Sequence, residues 1–405
     1  MSTSRRSFFK FLSVMPFFKL NAFAAESPKE RIKRSYSDTH SRFDPWIEIR
    51  SDHVVNNVQE INRQVENRPI LAVIKNNGYG MGLVNIAQIL EDLNPIKGYA
   101  VVKLNEAFTL RDAGLKKPIL HMGSFSEEEL EEMIHRNITP MVYTPIGSMF
   151  DRMAEKFQRS IPVHMCVDTG LGRVGVPHHQ AGELIEDFAR RNSVEIEGTM
   201  MTFTEDPDFD RVQIERFKEL IAKLKSKDVP VGMMHAASTT PIFMHRDAYF
   251  DMVRPGMGIY GIYPQQEQRK NALMNLLPAM SVKGRILYVK KIRKGESAGY
   301  GRAYVAEDDV WIATLPIGHA DGYQRRAAGC AKVRINEKLY PVIASVSASH
   351  CIVEIGKEQE VHVGDTAIFY DWQDGSRPED INAACDISVY DLTMHLSPLI
   401  PKLFV

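Results

Sequence analysis

The stretch ILAVIKNNGYGMG, residues 70–82, is an apolar run that ends in one lysine, Lys75, and breaks into a glycine-punctuated loop carrying Tyr79. Taken alone it reads as a buried strand running into a turn, with Lys75 reaching for solvent. Seven more runs of this kind follow: "GYAVVK" from Gly98, "PILHMG" from Pro118, "ITPMVYT" from Ile138, "PVHMCVDTG" from Pro162, "IEGTMMTF" from Ile196, "VGMMHAAS" from Val231 and "DMVRPGMGIYG" from Asp251. Between them lie segments such as "LNEAFTLRDAG" from Leu104 and "SEEELEEMIHRN" from Ser126, with apolar residues three and four apart and acidic residues near the start. Eight strand–helix units in succession predict a (β/α)8 TIM-type barrel, with a doubly wound open sheet as the alternative.

After about Ala279 the texture changes. Strand-like runs ("VKGRILYVKKI", "DVWIATLPIG", "KVRINEKLYPVIASVSAS") are separated by turns and carry little helical pattern. The expected organisation is α/β: a barrel over residues 45–278, then a mainly β C-terminal domain over 279–405.

The first residues differ in kind. "SRRSFFK", residues 4–10, closely resembles a twin-arginine export signal, and the apolar stretch after it reaches Ala22-Phe23-Ala24, a small-x-small cleavage signature. That stretch is too short to span a bilayer and Lys19 interrupts it. The reading is a signal peptide over residues 1–24, an N-terminal extension over 25–44, and a periplasmic mature chain with no membrane attachment.

With 44% hydrophobic and 25% charged residues among 405, the chain has an ordinary globular composition. A formal net charge of -1 gives no electrostatic reason to expect nucleic acid or an anionic membrane as partner, and leaves a small charged substrate open. Cys166, Cys330, Cys351 and Cys385 show no CxxC spacing and no metal-ligand pattern, so no metal is expected; buried thiols and disulfides both remain open.

In a (β/α)8 barrel the chemistry sits at the C-terminal ends of the strands. There Lys75 is joined by Arg173, His235, Thr239 and Arg254, the last beside Gly256. A lysine amine can form a Schiff base with a carbonyl cofactor, and pyridoxal 5'-phosphate also needs a phosphate cradle and a partner for its pyridine nitrogen. Backbone N–H groups near glycine, together with hydroxyl side chains, supply such a cradle; Tyr79, Thr239, Gly256 and Met257 are candidates.

These motifs resemble those of the alanine racemase family of fold-type III pyridoxal phosphate enzymes. "AVIKNNGYGMG" looks like the family's lysine loop, "VDTGLGRVGV" its arginine loop, "RPGMGIYG" its pyridine and phosphate strand, and "GESAGYGRAY" its second catalytic site. "GYAVVKLNEAFTLRDAG" and "PIGHADGYQR" match as well, all in the family's order from about Pro45 to the C-terminus. The resemblance implies that Lys75 carries the cofactor and acts as one catalytic base. It implies that Tyr300, from the second subunit of a homodimer, is the base on the opposite face. Arg254 would meet the pyridine nitrogen with His235 behind it, Arg173 the phenolic oxygen and the substrate, and Tyr79, Thr239, Gly256, Met257 and Tyr390 the phosphate. Two bases on opposite faces give either enantiomer an equivalent route. A tyrosine, with an unperturbed pKa of about 10, needs surroundings that favour phenolate.

Departures from the family pattern fall on the substrate side. Cys166 stands where many members have a carbamylated lysine, and Thr202 replaces the histidine beside the cofactor. His319 replaces an entrance tyrosine, and Ala348-Ser349 replaces a methionine-aspartate pair. The expectation is a periplasmic amino-acid racemase resembling the broad-spectrum branch, whose substrates contact Arg173, His319 and Ala348. A dedicated alanine racemase is the first alternative. Decarboxylation or retro-aldol chemistry is the runner-up from the same fold type, and an arginine at the pyridine nitrogen disfavours the decarboxylases. A non-catalytic cofactor- or amino-acid-binding protein is the alternative of a different class, made credible by Cys166 and Thr202.

Overall fold

The computed structural model describes residues 43–271 and 273–405; the expected signal peptide and its cleavage site lie outside the described residues. Strands Ile70–Val73, Ile96–Val101, Ile119–His121, Ile138–Val142, Ile161–Asp168, Val194–Met200 and Met233–His235 pair in parallel in chain order, with helices between them. Ile70–Val73 is buried at every position, as a strand covered on both faces must be. The helix Glu127–His135 begins where the acidic pattern placed it, because Ser126 and Glu129 close a reciprocal capping box.

The eighth predicted run is not a regular strand. Val253 bridges to Ile70 and Met252 to His235, and Leu71 N–H donates to Val253 O across 2.9 Å. These pairings close the barrel on both sides. The pairing runs on to Pro255, whose carbonyl accepts from Val73 N–H at 3.0 Å although the proline has no N–H to donate in return.

One boundary needs correction. Trp46–Ile49, counted with the barrel from the sequence, lies in the nine-stranded sheet of the C-terminal domain, antiparallel to Met280–Arg285 and parallel to Lys402–Phe404. A four-residue buried strand carries no mark of which sheet it will join.

Two short helices absent from the sequence reading, Pro378–Cys385 and Val389–Met394, bring the end of the β domain to the barrel mouth. A methyl group on Gly80 would collide with the Thr393 carbonyl, so the loop after Lys75 packs directly on the second helix. A disulfide joins Cys330 to Cys385, while Cys166 and Cys351 are buried free thiols. No described helix is long and apolar enough to cross a membrane.

Candidate active site

The strand carrying Lys75 ends in a left-handed turn: Asn76, Asn77, Gly78 and Tyr79 all have φ between 54° and 60°. Asn and Gly tolerate this conformation better than other residues, which explains the sequence Asn-Asn-Gly. Glu106 accepts from Asn77 N–H at 2.8 Å, and the Asn77 side chain accepts from Leu83 N–H at 3.0 Å. The turn is thus pinned, and it points Lys75 and Tyr79 into one cavity.

That cavity, of about 330 Å³, is lined by Lys75, Tyr79, Arg173, Thr239, Arg254, Gly256, Met257 and Tyr390. The predicted cofactor residues therefore converge, except His235, which is fully buried behind Arg254. Burial and then the Arg173 charge lower the Lys75 pKa, with Glu106 opposing. An amine that loses its proton more readily is a better nucleophile and base.

Arg254 is only 4% exposed and spends four of its five N–H groups inside the protein. Nη1 meets His235 Nδ1 at 2.8 Å and His235 O at 2.6 Å; Nη2 meets Met201 O at 2.7 Å and Ala236 O at 3.2 Å. Nε–H alone has no partner among the described residues, and the side chain lines the cavity. Since guanidinium only donates, His235 Nδ1 is the acceptor and its proton sits on Nε2, 2.8 Å from His164 Nδ1. Burial first and the Arg254 charge second hold both histidines neutral, His164 at about 4 and His235 well below its ordinary value.

At the other end, Thr239 Oγ1 accepts from Gly256 N–H at 3.1 Å and Gly258 N–H at 3.0 Å, bracketing the start of the Met257–Tyr260 turn. Any side chain at Gly256 would collide with the Tyr79 hydroxyl. Tyr79 and Tyr390 lie 6.4 Å apart by ring centroid. Burial raises both phenols, Tyr390 to about 12, so each stays a donor at neutral pH. A nucleophilic amine, a spare Nε–H and a cradle of hydroxyls and amides in one cavity fit pyridoxal phosphate.

The structure also answers what stands at the departures. Cys166 is 2% exposed and burial raises its thiol to about 12, so it supplies no negative charge. Among the described residues Arg173 has no ion pair; Asp168 fixes its loop instead, accepting from Gly170 N–H at 2.9 Å and Gly172 N–H at 3.1 Å. Thr202 lines the cavity.

Glu205, which the sequence reading missed, lines it too. It is held at φ 65° by Asp210, which accepts its N–H at 3.1 Å. Its place just past the sixth strand was the available signal, since the ends of barrel strands carry the chemistry.

Tyr300, His319 and Ala348 are not in this cavity. Tyr300 is 79% exposed on the β domain. It lines a separate cavity of about 330 Å³ with Thr314, Ser345, Ser347 and His350. His319 Nε2 is 2.9 Å from Arg325 Nη2, and Ala348 O accepts from Ala320 N–H at 2.9 Å. A third cavity, about 230 Å³, opens at the opposite end of the barrel around Arg111 and Arg159. Arg111 there is committed to the carbonyls of Leu115, Lys117, Arg136 and Asn137, which is a structural role.

Comparison with known families decides the kinship. The family model described as "Alanine racemase, N-terminal domain" matches residues 49–264, and "Alanine racemase, C-terminal domain" matches 279–404. The chain belongs to the alanine racemase family. It is 33% identical over 368 residues to the alanine racemase of Clostridium kluyveri, covering 89% of this chain and 94% of that one. It is 34% identical over 332 residues to that of Desulforamulus reducens, covering 80% and 89%. Among solved structures, the alanine racemase of D-cycloserine-producing Streptomyces lavendulae superposes with a TM-score of 0.84 at 25% identity, covering 90% of this chain and 97% of that one. The chain is an amino-acid racemase, an isomerase, of a pyridoxal phosphate-dependent family.

Proposed function

We propose that the protein interconverts L- and D-amino acids by passing the α-proton between Lys75 and Tyr300 of the partner subunit in a homodimer. Bound pyridoxal phosphate supplies the electron sink that makes this proton removable. Lys75 holds the cofactor and works one face. Arg254, whose Nε–H is unpartnered at the cavity, would meet the ring nitrogen and would leave it largely unprotonated. Thr239, Gly256, Met257, Tyr79 and Tyr390 hold the phosphate, and Arg173 orients the substrate carboxylate and the cofactor's phenolic oxygen.

The observation that carries the reading is the exposure of Tyr300. An aromatic 79% open to solvent, between Gly299 at φ 74° and Gly301 at φ 67°, is presented outward rather than packed. A second subunit that places it over the first cavity completes a two-sided acid–base site. Mixing inactive Lys75→Ala and Tyr300→Phe proteins tests this: subunit exchange should restore part of the activity, since a hybrid dimer has one intact site. No recovery after proven exchange rejects the shared site.

The finer proposal is a substrate range wider than alanine. Ala348 and Ser349 are small and exposed, and they lie on the turn that borders the Tyr300 cavity. An alanine-restricted enzyme fits the relatives' names at least as well. Chiral chromatography of products from a panel of L-amino acids separates the two: kcat/KM for alanine more than about a hundredfold above every longer substrate favours restriction. Export to the periplasm is supported by the "SRRSFFK" signal and by a disulfide, which persists in oxidising compartments.

A further inference from the structure

A phenol working as a base near neutral pH needs a neighbour that takes its proton, and the barrel mouth offers Tyr300 no such group at position 202, where Thr202 carries only a hydroxyl. The β domain supplies one. Gly299 and Tyr300 lie directly on the loop that runs from Ala344 to His350: a methyl group on Gly299 would stand 2.7 Å from Ala344 Cβ and 3.2 Å from Ser345 Oγ. The cavity beside the ring is lined by Gly299, Tyr300, Thr314, Ser345, Ser347, His350 and Ile352. His350 is its one ionisable group besides Tyr300.

The His350 backbone is fixed while its ring is free. His350 N–H donates to Ser347 Oγ at 3.1 Å, and His350 O accepts from Ser347 N–H and Oγ–H, both at 2.8 Å. The imidazole has no hydrogen-bond partner among the described residues. Ser345 Oγ, in the same cavity, is buried and likewise without a partner. An exposed phenol, an unbound imidazole and an unbound hydroxyl thus share one pocket.

We infer that His350 is the positioning and proton-exchange partner of Tyr300, an inference that rests on the two-base reading above. When the phenolate takes the α-proton, an O–H bond forms as the substrate C–H bond breaks. To reset, that O–H bond breaks, its proton moves to the imidazole, and the electron pair stays on the phenolate oxygen. The imidazolium then passes the proton to water. In the other direction, imidazolium reloads the phenolate. Of the other ionisable groups on elements packed against this loop, His319 is paired with Arg325, Glu354 with Tyr304 at 2.6 Å and Asp321 with Gly318 N–H at 2.9 Å, while Arg302 Nη2 reaches Gly295 O; Tyr288, opposite Thr314 on the neighbouring strand, is exposed.

The test is steady-state kinetics in both directions across pH for His350→Gln, His350→Ala, Tyr300→Phe and the His350→Gln/Tyr300→Phe pair, each loaded with cofactor. His350→Gln should keep the melting temperature, cofactor absorbance and KM, and lower kcat at least about tenfold, less than the ~10² to 10⁴ of a direct acid–base group. It should also change the shape of the pH profile of kcat relative to the unsubstituted protein. Free imidazole should partly rescue His350→Ala, and the double variant should be no slower than Tyr300→Phe alone. An unchanged kcat and pH profile for His350→Gln, with Tyr300→Phe inactive, overturns this inference and leaves the two-base reading standing. An additive double variant does the same. A fully active Tyr300→Phe protein overturns both.

Discussion

Arg254 Nη1 lies 2.8 Å from His235 Nδ1 and 2.6 Å from the carbonyl oxygen of the same residue, so one histidine holds the guanidinium through both ring and backbone. The pairing fixes the direction of Nε–H into the cavity without any contact from solvent.

Replacing this arginine should therefore separate charge from geometry. Arg254→Lys keeps the charge but offers three donors on a point ammonium, too few for the acceptors at His235, Met201 and Ala236 and the cavity together. The expected outcome is a stability loss of about 1 to 3 kcal/mol per acceptor left unpaired, with much weaker cofactor uptake. Thermal unfolding of the cofactor-free protein and cofactor titration read the two effects.

Lys75 should impose a slope on stability. Burial first and Arg173 second lower its pKa in the folded state, so across a window below the ordinary lysine value of 10.5 the unfolded chain binds a proton that the folded chain has lost. Stability of the cofactor-free protein then rises with pH through that window and levels off above it. Lys75→Met should remove this contribution and be the more stable protein at neutral pH, the gap closing as pH rises. Urea denaturation at a series of pH values checks it, and equal slopes for both proteins would contradict it.

Glu205 should make cofactor retention depend on pH. Loss of solvent around the carboxyl raises its pKa, with the hydroxyls of Thr240 and Ser238 opposing and Asp210 adding. Its charge is felt at Tyr79 and Tyr390, the residues that close the phosphate end. Above its raised pKa the carboxylate repels the phosphate, so affinity falls as pH rises. Glu205→Gln should flatten the dependence and tighten binding on the order of tenfold on the alkaline side. Equilibrium titration followed by cofactor absorbance measures both.

The Cys330–Cys385 disulfide closes a loop with a sequence separation of 55 and anchors the helix that precedes Tyr390. Cys330→Ser should lower stability by up to about 4 kcal/mol, the loop-entropy scale for that length. It should also loosen cofactor binding through Tyr390. Denatured oxidised protein should show two reactive thiols, Cys166 and Cys351. Four thiols would mean that the bond does not form.

The sequence by itself determined the parallel barrel, because each strand's apolar run and each helix's three-and-four spacing are local patterns that the packed structure must satisfy. It determined the cluster at the mouth for a related reason: strand ends in a barrel converge, so Lys75, Arg173, Thr239, Arg254 and Gly256 had to approach one another once the strands were placed. What depended on partners far away in the chain was not legible. Trp46–Ile49 gives no hint that its neighbours are Met280–Arg285 and Lys402–Phe404, since backbone pairing is blind to sequence distance. The helices bearing Cys385 and Tyr390 are too short for a helical period to emerge; the second packs on the Lys75 turn through Gly80 and Thr393, and the first is tied by its disulfide. Glu205 enters the cavity through a left-handed backbone held by Asp210, and the loop from Ala344 to His350 meets Tyr300 only because Gly299 lets them touch. Periodicity fixes which face of an element is buried, whereas side-chain direction at a loop is set by tertiary contacts that no local pattern encodes.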